Sequence, residues 1–290
     1  MKTVTLLHNP KAGGKEHTKG ELVELIEKAG YKCLYFDVKK NGWDKIAPET
    51  EFLAIAGGDG TIRKVIIKLF ENKTMYPVAL IPLGTANNIS KSLNITGSPE
   101  ELINSWKKGK TINFDIGRIT GPDKPGLLLE GFGVGVFPEL IHVMEKAKTP
   151  GYQTPEEEME TAIKTFSEIC KSIVPVSCTI EIDGKDYSGD YILAEIMNIR
   201  SIGANFNLNP AGSPSDGIME VILIPEFQRN ELAAFIQDKS IFNFKTITAK
   251  HIRITWKNAL AHIDDKLTEV KAQATTEITI DSGLQKFIVP

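Results

Sequence analysis

Cysteine is scarce in this sequence, which contains only Cys33, Cys170 and Cys178. These residues form neither a CxxC pair nor a cysteine and histidine set with metal-ligand spacing, so no zinc site or thioredoxin-like redox centre is expected. An odd and sparse set of thiols also does not suit the disulfide framework of a small secreted domain. The cysteine content therefore predicts a chain that works in the reducing environment of the cytoplasm.

Long apolar runs and an excess of charge are lacking as well. No stretch approaches the roughly 18 consecutive apolar residues of a membrane-spanning helix, and the N-terminal MKTVTLLHNPKAGG lacks the apolar core and cleavage site of a signal peptide. The formal net charge is −3, from 34 Lys and Arg against 37 Asp and Glu, so no nucleic-acid partner is expected. With 41% hydrophobic residues among 290, the chain can form one large domain or two modest ones.

Strand-like and helix-like segments alternate over the first part of the chain. In order they are the strand TVTLLHN, the helix HTKGELVELIEKAG, the strands YKCLYFDV and EFLAIAGG, the helix IRKVIIKLF, the strand PVALIP and a helix from about Ala86 through Lys91. Strands that alternate with helices predict a parallel sheet with crossover connections.

The pattern changes from about Asp115. Strand-like pieces with turn signals follow one another, among them GLLLEGFGVGV, VSCTIEIDGKDYSG, YILAEIMNI and GIMEVILIP. Such a run predicts a second, mainly antiparallel β domain. A helical insertion at about 138–172 separates some of its strands. The expected fold class is therefore an α/β domain followed by a β domain.

Three glycine-bearing turns follow strands of the first domain: HNPKAGGK at 8–15, AGGDGT at 56–61 and IPLGTANN at 81–88. Because the carboxyl ends of parallel strands share one edge of a sheet, these turns should lie together. Glycine lets backbone N–H groups approach phosphate oxygens, and a helix N-terminus attracts the same anion. Asp59 is suited to organise magnesium-bound water or a ligand hydroxyl there. Any one turn alone is equally typical of an ordinary strand-to-helix connection, and only the three together favour a phosphate site.

The three motifs NPKAGG, GGDGT and PLGTANN together resemble the diacylglycerol kinase catalytic-domain family, which includes bacterial lipid kinases and sphingosine kinases. The resemblance continues in order through NFDIGRI, GFGVGVFPE, NPAGSPSDGIMEVILI and EITIDSGLQKFIVP, and so covers nearly the whole chain. It implies a Rossmann-like nucleotide-binding domain over 1–116, a β-sandwich domain for the lipid substrate over 117–281, and an active cleft between them. It also implies that the C-terminal tail, about 282–290, returns to the first domain.

The activity that the resemblance implies is transfer of the γ-phosphoryl group of ATP, with Mg²⁺, to a hydroxyl of a lipid or lipid-like alcohol. An NAD kinase-like enzyme is one alternative, since such enzymes share GGDGT, but PLGTANN argues against it. A catalytically degenerate nucleotide-binding sensor is the alternative from another class. A cytoplasmic lipid kinase would be peripheral at the membrane during transient contact with its surface. The sequence leaves open whether the chain forms a homodimer.

The resemblance also implies roles for individual residues. The nucleotide-binding set comprises Asn9, Lys11, Gly13 and Gly14 of the first turn, Gly57, Gly58, Asp59, Gly60 and Thr61 of the second, and Gly84 and Thr85 of the third. Asp115 in NFDIG resembles the second acid of a water-mediated magnesium network with Asp59. Asp216 in SPSDGIM resembles the side-chain ligand of a structural magnesium, which the backbone carbonyls of Ser213 and Ile218 complete. By itself, the Asp-Gly pair in SPSDGIM is also typical of a plain hairpin turn.

Three positions depart from the family pattern. Lys64 and Asn88 replace acids, and Lys266 in HIDDKL stands where the family has the glutamate of DGE, its proposed general base. A lysine accepts a proton only when burial holds it neutral. Asp264 matches the aspartate of DGE, and Asp265 is the candidate for the missing base. The competing interpretation makes HIDDKL only an exposed hairpin tip, with the charges of Asp265 and Lys266 both solvated. The histidine at position 262 is a further candidate for site chemistry.

Overall fold

The computed structural model describes residues 1–13, 17–121, 126–147, 154–237, 245–269 and 272–290. These residues form two compact units. The first comprises Met1–Phe114 together with Gly283–Pro290, and the second comprises Asp115–Ser282.

The first unit is an α/β fold with a parallel sheet. Its elements are β1 (Thr3–His8), α1 (Lys19–Lys28), β2 (Lys32–Asp37), β3 (Thr50–Gly57), α2 (Asp59–Glu71), β4 (Val78–Pro82), α3 (Asn88–Ser92), α4 (Pro99–Ser105) and the start of β5 (Thr111–Thr120). The strands pair in parallel in the order β2-β1-β3-β4. Phe287 and Ile288 extend the sheet by pairing in parallel with Val78 and Ala79 of β4. The predicted Rossmann-like class is confirmed.

Local signals explain where the helices of this unit begin. Helix α1 follows Thr18, whose side chain accepts a hydrogen bond from the N–H of Glu21 in a capping box. Helix α3 begins at Asn88, two residues later than the predicted start at Ala86. The reason is that Asn87 has a left-handed backbone, with a φ of 54°, which cannot continue a right-handed helix.

The second unit is mainly antiparallel β structure with three helices. After the rest of β5 its elements are β6 (Gly126–Leu128), β7 (Gly131–Gly135), α5 (Val136–Ala147), α6 (Pro155–Ser172), β8 (Val176–Ile182), β9 (Lys185–Asp186), β10 (Gly189–Met197), β11 (Met219–Pro225), α7 (Arg229–Gln237), β12 (Thr246–Ala249), β13 (His251–Lys257), β14 (Leu260–Ile263), β15 (Lys266–Glu269) and most of β16 (Gln273–Ile288). Antiparallel pairing runs in the order β15-β14-β7-β10-β8-β13-β16, and β11 pairs with β10 and β12. The predicted antiparallel class is confirmed.

Two apolar clusters stabilise the second unit. One lies among the strands and includes the buried Phe132 and Trp256, whose ring centroids are 5.5 Å apart. The other lies under α5, α6 and α7 and includes Phe137, Phe166 and Phe206. The helical insertion predicted at about 138–172 corresponds to α5 and α6, with 148–153 outside the described residues. No helix in the described part of the chain is both long enough and apolar enough to cross a membrane.

Candidate active site

Three turns lie side by side at the carboxyl ends of β1, β3 and β4, and we call residues 9–13, 57–61 and 82–88 the three-turn edge. The side-chain amide of Asn9 donates to the hydroxyl of Thr61 at 3.1 Å, which joins the first turn to the second. The backbone N–H of Leu83 donates to the carbonyl of Gly57 at 3.0 Å, which joins the third turn to the second. The parallel sheet thus brings together the turns that the sequence singles out.

The glycines of this edge are required where the turns contact one another. A Cβ atom on Gly84 would lie 2.6 Å from the Cα of Gly58, and one on Gly13, with a φ of +50°, would lie 2.3 Å from the carbonyl oxygen of Leu83. Contacts this short exclude any other residue without movement of a turn. Besides allowing a ligand close to the backbone, glycine therefore allows the turns to pack on each other.

Asp59 fixes the third turn from the first residue of α2. Its Oδ2 accepts a hydrogen bond from the N–H of Asn88 at 2.9 Å, and its Oδ1 accepts one from the N–H of Ile89 at 3.0 Å. The carboxylate therefore caps the N-terminus of α3. This capping ties the start of α2 to the start of α3.

The remaining predicted residues of the first unit differ in exposure. Lys11, Gly60 and Thr85 are exposed, and Gly60 lies in the first turn of α2. Gly14 lies outside the described residues. The N-terminus of the 13-residue helix α2 begins at the three-turn edge and carries a partial positive charge. Backbone N–H groups, a helix N-terminus and an exposed lysine suit an anionic ligand such as a phosphate.

The departure from the family pattern at Lys64 has a local structural reason. The Nζ of Lys64 donates to the carbonyl of Val38 at 2.5 Å and lies 5.2 Å from the centroid of the Trp43 ring. The lysine therefore anchors α2 to the segment that follows β2, through a hydrogen bond and a cation–π contact.

In the second unit, Asp115 holds the turn that contains SPSDGIM. The side chain of Asp115 is buried, its N–H donates to the carbonyl of Pro214 at 2.7 Å, and its Oδ2 accepts from the N–H of Gly217 at 2.6 Å. Asp216 is exposed, and its Oδ1 accepts from the N–H of Ile218 at 3.2 Å. Asp115 thus determines the shape of the turn in which the proposed magnesium ligand lies.

A further carboxyl group lies beside this turn. Glu220 is buried, and its Oε2 has no hydrogen-bond partner among the described residues. Burial, followed by the negative charge of Asp216, raises the pKa of Glu220 to about 7. Asp216 and Glu220 therefore interact electrostatically.

Asp264 and Asp265 form the two-residue turn between β14 and β15, but their environments differ. Asp264 is buried, and its Oδ1 accepts from the N–H groups of Leu129, Glu130 and Gly131 at 3.1, 2.7 and 3.2 Å. Asp265 is exposed. Three backbone donors therefore replace water around Asp264. Asp265 and Lys266 are both exposed, so the interpretation of HIDDKL as an exposed hairpin tip remains an alternative.

One hydrogen-bond network joins the two predicted acids of this unit. The side-chain amide of Asn198 donates to the carbonyls of Asp115 and Leu129, each at 2.9 Å. The N–H of Asn198 donates to the carbonyl of Glu130 at 2.9 Å, and the next peptide groups bind Asp264. The structure therefore brings Asp115 and Asp264 into one supporting network through a residue that the sequence analysis missed.

The sequence analysis also missed three buried acids, Glu130, Glu195 and Glu220. Each is a single acid inside an apolar strand segment, in GLLLEGF, YILAEIMNI and GIMEVILI respectively. Such a residue is a signal in itself, because an acid is rarely buried without a partner. The partner of Glu195 is His262, whose Nε2 lies 3.0 Å from the Oε2 of the carboxyl group.

Comparison with known proteins identifies two matching family models. Residues 3–119 match the diacylglycerol kinase catalytic domain, and residues 146–281 match the YegS C-terminal NAD kinase beta sandwich-like domain. The two matches follow one another and coincide broadly with the two structural units.

Relatives and solved structures agree with these matches. A protein of Bacillus subtilis strain 168 named diacylglycerol kinase is 26% identical over 282 residues, covering 92% of this chain and 88% of that protein. A protein of Staphylococcus aureus strain bovine RF122 with the same name is 24% identical, covering 95% of this chain and 86% of that protein.

Two solved structures share the fold. A crystal structure of a diacylglycerol kinase from Bacillus anthracis strain Sterne has a TM-score of 0.77 at 18% identity, with coverage of 100% and 97% of the two chains. An NAD kinase from Archaeoglobus fulgidus, solved in complex with ATP, has a TM-score of 0.54 at 17% identity, with coverage of 99% and 93%.

Proposed function

Because the chain belongs to the diacylglycerol kinase catalytic-domain family, we propose that it is an ATP-dependent lipid kinase. It transfers the γ-phosphoryl group to the hydroxyl of a lipid or lipid-like alcohol, which requires at least transient contact with a membrane surface. The observation that carries the proposal is the three-turn edge, where three glycine-bearing turns and the N-terminus of α2 meet.

In this proposal the three-turn edge binds the nucleotide. The backbone N–H groups of the glycine turns and the exposed Lys11 contact phosphate oxygens. Asn9 and Thr61 keep two of the turns in register through their hydrogen bond. Asp59 keeps α3 and the third turn in place and orders water beside the phosphates. These residues position the nucleotide, and positioning with electrostatic stabilisation supplies most of the catalysis of phosphoryl transfer.

The proton of the acceptor goes to Asp265. As the lipid oxygen forms its bond to the γ-phosphorus, the bond from that phosphorus to the bridging oxygen breaks, and ADP leaves. The hydroxyl proton passes to the carboxylate of Asp265, which is exposed and thus accessible to a substrate. Asp264 is less suited to accept it, because its buried carboxylate already accepts hydrogen bonds from backbone N–H groups and is less accessible to a substrate.

Magnesium enters this proposal at two places, as the family resemblance implies. Asp59 and Asp115 would contact it through water, and Asp216 with the carbonyls of Ser213 and Ile218 would hold a structural ion. An ion at Asp216 would offset the repulsion between Asp216 and the buried Glu220. Bound to nucleotide, magnesium supplies charge neutralisation of the phosphate oxygens.

The decisive experiment combines nucleotide binding with phosphoryl transfer. Calorimetry with ATP and magnesium should detect binding to the wild type, and Asp59→Ala should weaken it, since α3 and the third turn lose their capping carboxylate. Labelled ATP should then transfer phosphate to a member of a panel of diacylglycerols, long-chain bases and isoprenoid alcohols. NAD is assayed as an acceptor beside this panel. Binding of ATP without phosphate transfer to any of these acceptors would favour the nucleotide-binding sensor. Transfer to NAD alone would favour the NAD kinase-like alternative.

The structural magnesium can be tested separately from catalysis. An ion bound only by the native state raises the melting temperature by mass action. Asp216→Ala should therefore remove the part of the thermal stability that depends on magnesium concentration. Asp186→Ala, a change of an exposed aspartate in the same unit, is the matched control and should leave that dependence intact. Equal magnesium-dependent shifts in wild type and Asp216→Ala would reject the assignment.

A further inference from the structure

The second unit contains a buried ionisable pair that the proposed mechanism does not use. Glu195 on β10 is 0% exposed and His262 on β14 is 2% exposed. The His262 Nε2 lies 3.0 Å from the Glu195 Oε2. The other carboxyl oxygen, Oε1, has no hydrogen-bond partner among the described residues. The pair is therefore shielded from solvent.

Two glycines of GFGVGV make the space for this carboxyl group. A Cβ on Gly133 would lie 2.0 Å from the Glu195 Oε2, and one on Gly131 would lie 2.9 Å from its Oε1. Both glycines lie on β7, which pairs with β10 on one side and with β14 on the other. Strand β7 therefore has no side chains at Gly131 and Gly133, where the Glu195 carboxyl group lies against it.

A chain of hydrogen bonds leads from the pair to the hairpin tip. The His262 Nδ1 lies 2.9 Å from the carbonyl oxygen of Asp264. That residue has a φ of 53°, which is uncommon outside glycine, and its N–H donates to the carbonyl of Gly131 at 2.7 Å. Contacts on both sides of the peptide therefore hold Asp264 in a backbone conformation that it would rarely adopt alone, and this conformation sets the direction of Asp265.

The protonation of the histidine follows from these partners. A carbonyl oxygen only accepts, so Nδ1 carries a hydrogen, and Nε2 shares one further proton with Glu195. Burial alone would lower the pKa of His262, but the carboxyl groups of Glu195 and Asp264 and the Asp264 carbonyl raise it. Burial raises the pKa of Glu195. A single shared proton leaves the pair without net charge, which is the state that burial favours.

From this geometry we infer that Glu195 and His262 are positioning residues for the phosphoryl-transfer reaction. The inference rests on the proposed function. Glu195 orients the imidazole, the imidazole holds the carbonyl of Asp264, and Asp265 is thereby presented to the acceptor hydroxyl. Stability alone does not explain the pair, because a buried ion pair commonly adds little stability compared with apolar residues of similar volume.

Two substitutions of His262 separate positioning from packing. The side-chain amide of His262→Asn can occupy the place of Nδ1 and keep donating to the Asp264 carbonyl. The amide of His262→Gln reaches toward Glu195 instead and loses that bond. We expect His262→Gln to lower kcat by about ten- to a hundred-fold with an unchanged KM for ATP, the cost of misplacing a catalytic group. His262→Asn should stay within about three-fold of wild type, a loss well under 1 kcal/mol.

A second measurement does not depend on turnover. Hydrogen exchange should accelerate at the amides of residues 129–131 and 264 in His262→Gln but not in His262→Asn. His251→Gln on β13, a partly exposed histidine of the same unit, is the control and should change neither kcat nor exchange. Glu195→Gln keeps the shape of the carboxyl group. Like His262→Asn, it should leave hydrogen exchange at residues 129–131 and 264 unchanged.

Equal loss of kcat in His262→Asn and His262→Gln, with unchanged exchange at the four amides, would overturn the inference. If the wild type transfers no phosphate to any acceptor, the proposed function fails. The exchange pattern then still decides whether the pair holds the tip.

Discussion

The adjacent residues Asp264 and Asp265 have the same side chain but different environments. The buried carboxylate of Asp264 is bound by three backbone N–H groups, whereas Asp265 is exposed at the other turn position. These hydrogen bonds fix the place of the Asp264 carboxylate. We therefore assign support of the hairpin tip to Asp264 and proton transfer to Asp265. Lys266 is exposed and pairs with Ile263 in the first register position of β15.

Asp265→Asn tests this division at the level of one side chain. If Asp265 is the general base, the substitution should lower turnover by about two orders of magnitude or more, since the amide cannot accept the proton. ATP binding by calorimetry should not change. Asp186→Asn, which alters an exposed aspartate of β9, is the matched control and should retain full turnover. Full turnover in Asp265→Asn would contradict the assignment.

Lys266→Glu distinguishes two cases: Asp265 has taken over as the general base, or the general base has been lost. With Asp265 as the base, a glutamate at 266 should change the rate little. A wild type that is very slow and a large gain in Lys266→Glu, alone or with Asp265→Gly, would mean that proton abstraction has been lost at this tip. The phosphoryl-transfer assay with labelled ATP measures both outcomes.

At the scale of helices and strands, the sequence predicted the features that depend on residues close to one another in the chain. Alternating strands and helices predicted the parallel sheet, and Thr18 with Glu21 marks the start of α1 through a local capping box. The three turns meet as expected, because parallel strands deliver them to one edge. The start of α3 was missed because Asp59, about 30 positions earlier, accepts its first N–H groups.

The parts of the site that escaped prediction depend on contacts distant in sequence. The burial of Asp264 comes from backbone groups more than 130 positions earlier, at Leu129 and Glu130. The position of Glu195 depends on glycines of a neighbouring strand. The spacing of sequence motifs does not indicate which distant segments contact one another. For Glu195, the signal in the sequence is that it is an isolated acid within an apolar run.

The packing of the turns gives a prediction with an internal control. A Cβ on Gly84 would lie 2.6 Å from the Cα of Gly58, so Gly84→Ala should push the second and third turns apart and lower both the melting temperature and the affinity for ATP. Gly20→Ala in α1 meets only one atom within 4 Å, at 3.9 Å, and should stabilise the chain by about 0.5–1 kcal/mol. Scanning calorimetry and ATP titration of both variants provide the measurement. Unchanged affinity in Gly84→Ala would contradict the role of the contact.

Across the whole molecule, the buried acids are unevenly distributed. Within the described residues, all of them lie in the second unit: Asp115, Glu130, Glu195, Glu220 and Asp264. Burial also raises the pKa of each of the three cysteines, Cys33, Cys170 and Cys178, to about 12, so these thiols are not nucleophiles at neutral pH. Near neutrality, the second unit should therefore contribute to the response of stability to pH through its buried acids, and the first unit through the buried His8, whose pKa is lowered by burial.

The buried pair of Glu195 and His262 should lower the stability of the folded chain as the pH rises. The pKa of His262 is raised by Glu195 and Asp264 in the folded state, whereas an unfolded histidine titrates near about 6.5. Its contribution is thus fully present below about pH 6.5 and is lost as the pH rises through the folded value. The pKa of Glu195 is also raised, so it acts in the same direction. As the pH rises from about 6.5 toward the folded pKa, the folded chain should lose stability from this pair, at up to about 1.4 kcal/mol per pH unit for the one proton that the pair holds.

Glu195→Gln isolates this contribution from every other titrating group. Without the carboxylate, burial keeps the imidazole neutral, so the variant binds no extra proton in the folded state and its pair contributes no slope above about pH 6.5. Urea denaturation of both proteins between about pH 7 and pH 8 should give a free-energy difference that changes with pH to the disadvantage of the wild type at higher pH, by at most about 1.4 kcal/mol per pH unit. All other acids and the cysteines are common to both proteins and cancel in this difference. A difference independent of pH would mean that the pair does not hold an additional proton in the folded state, and that the imidazole is kept in place by packing and the Asp264 carbonyl alone.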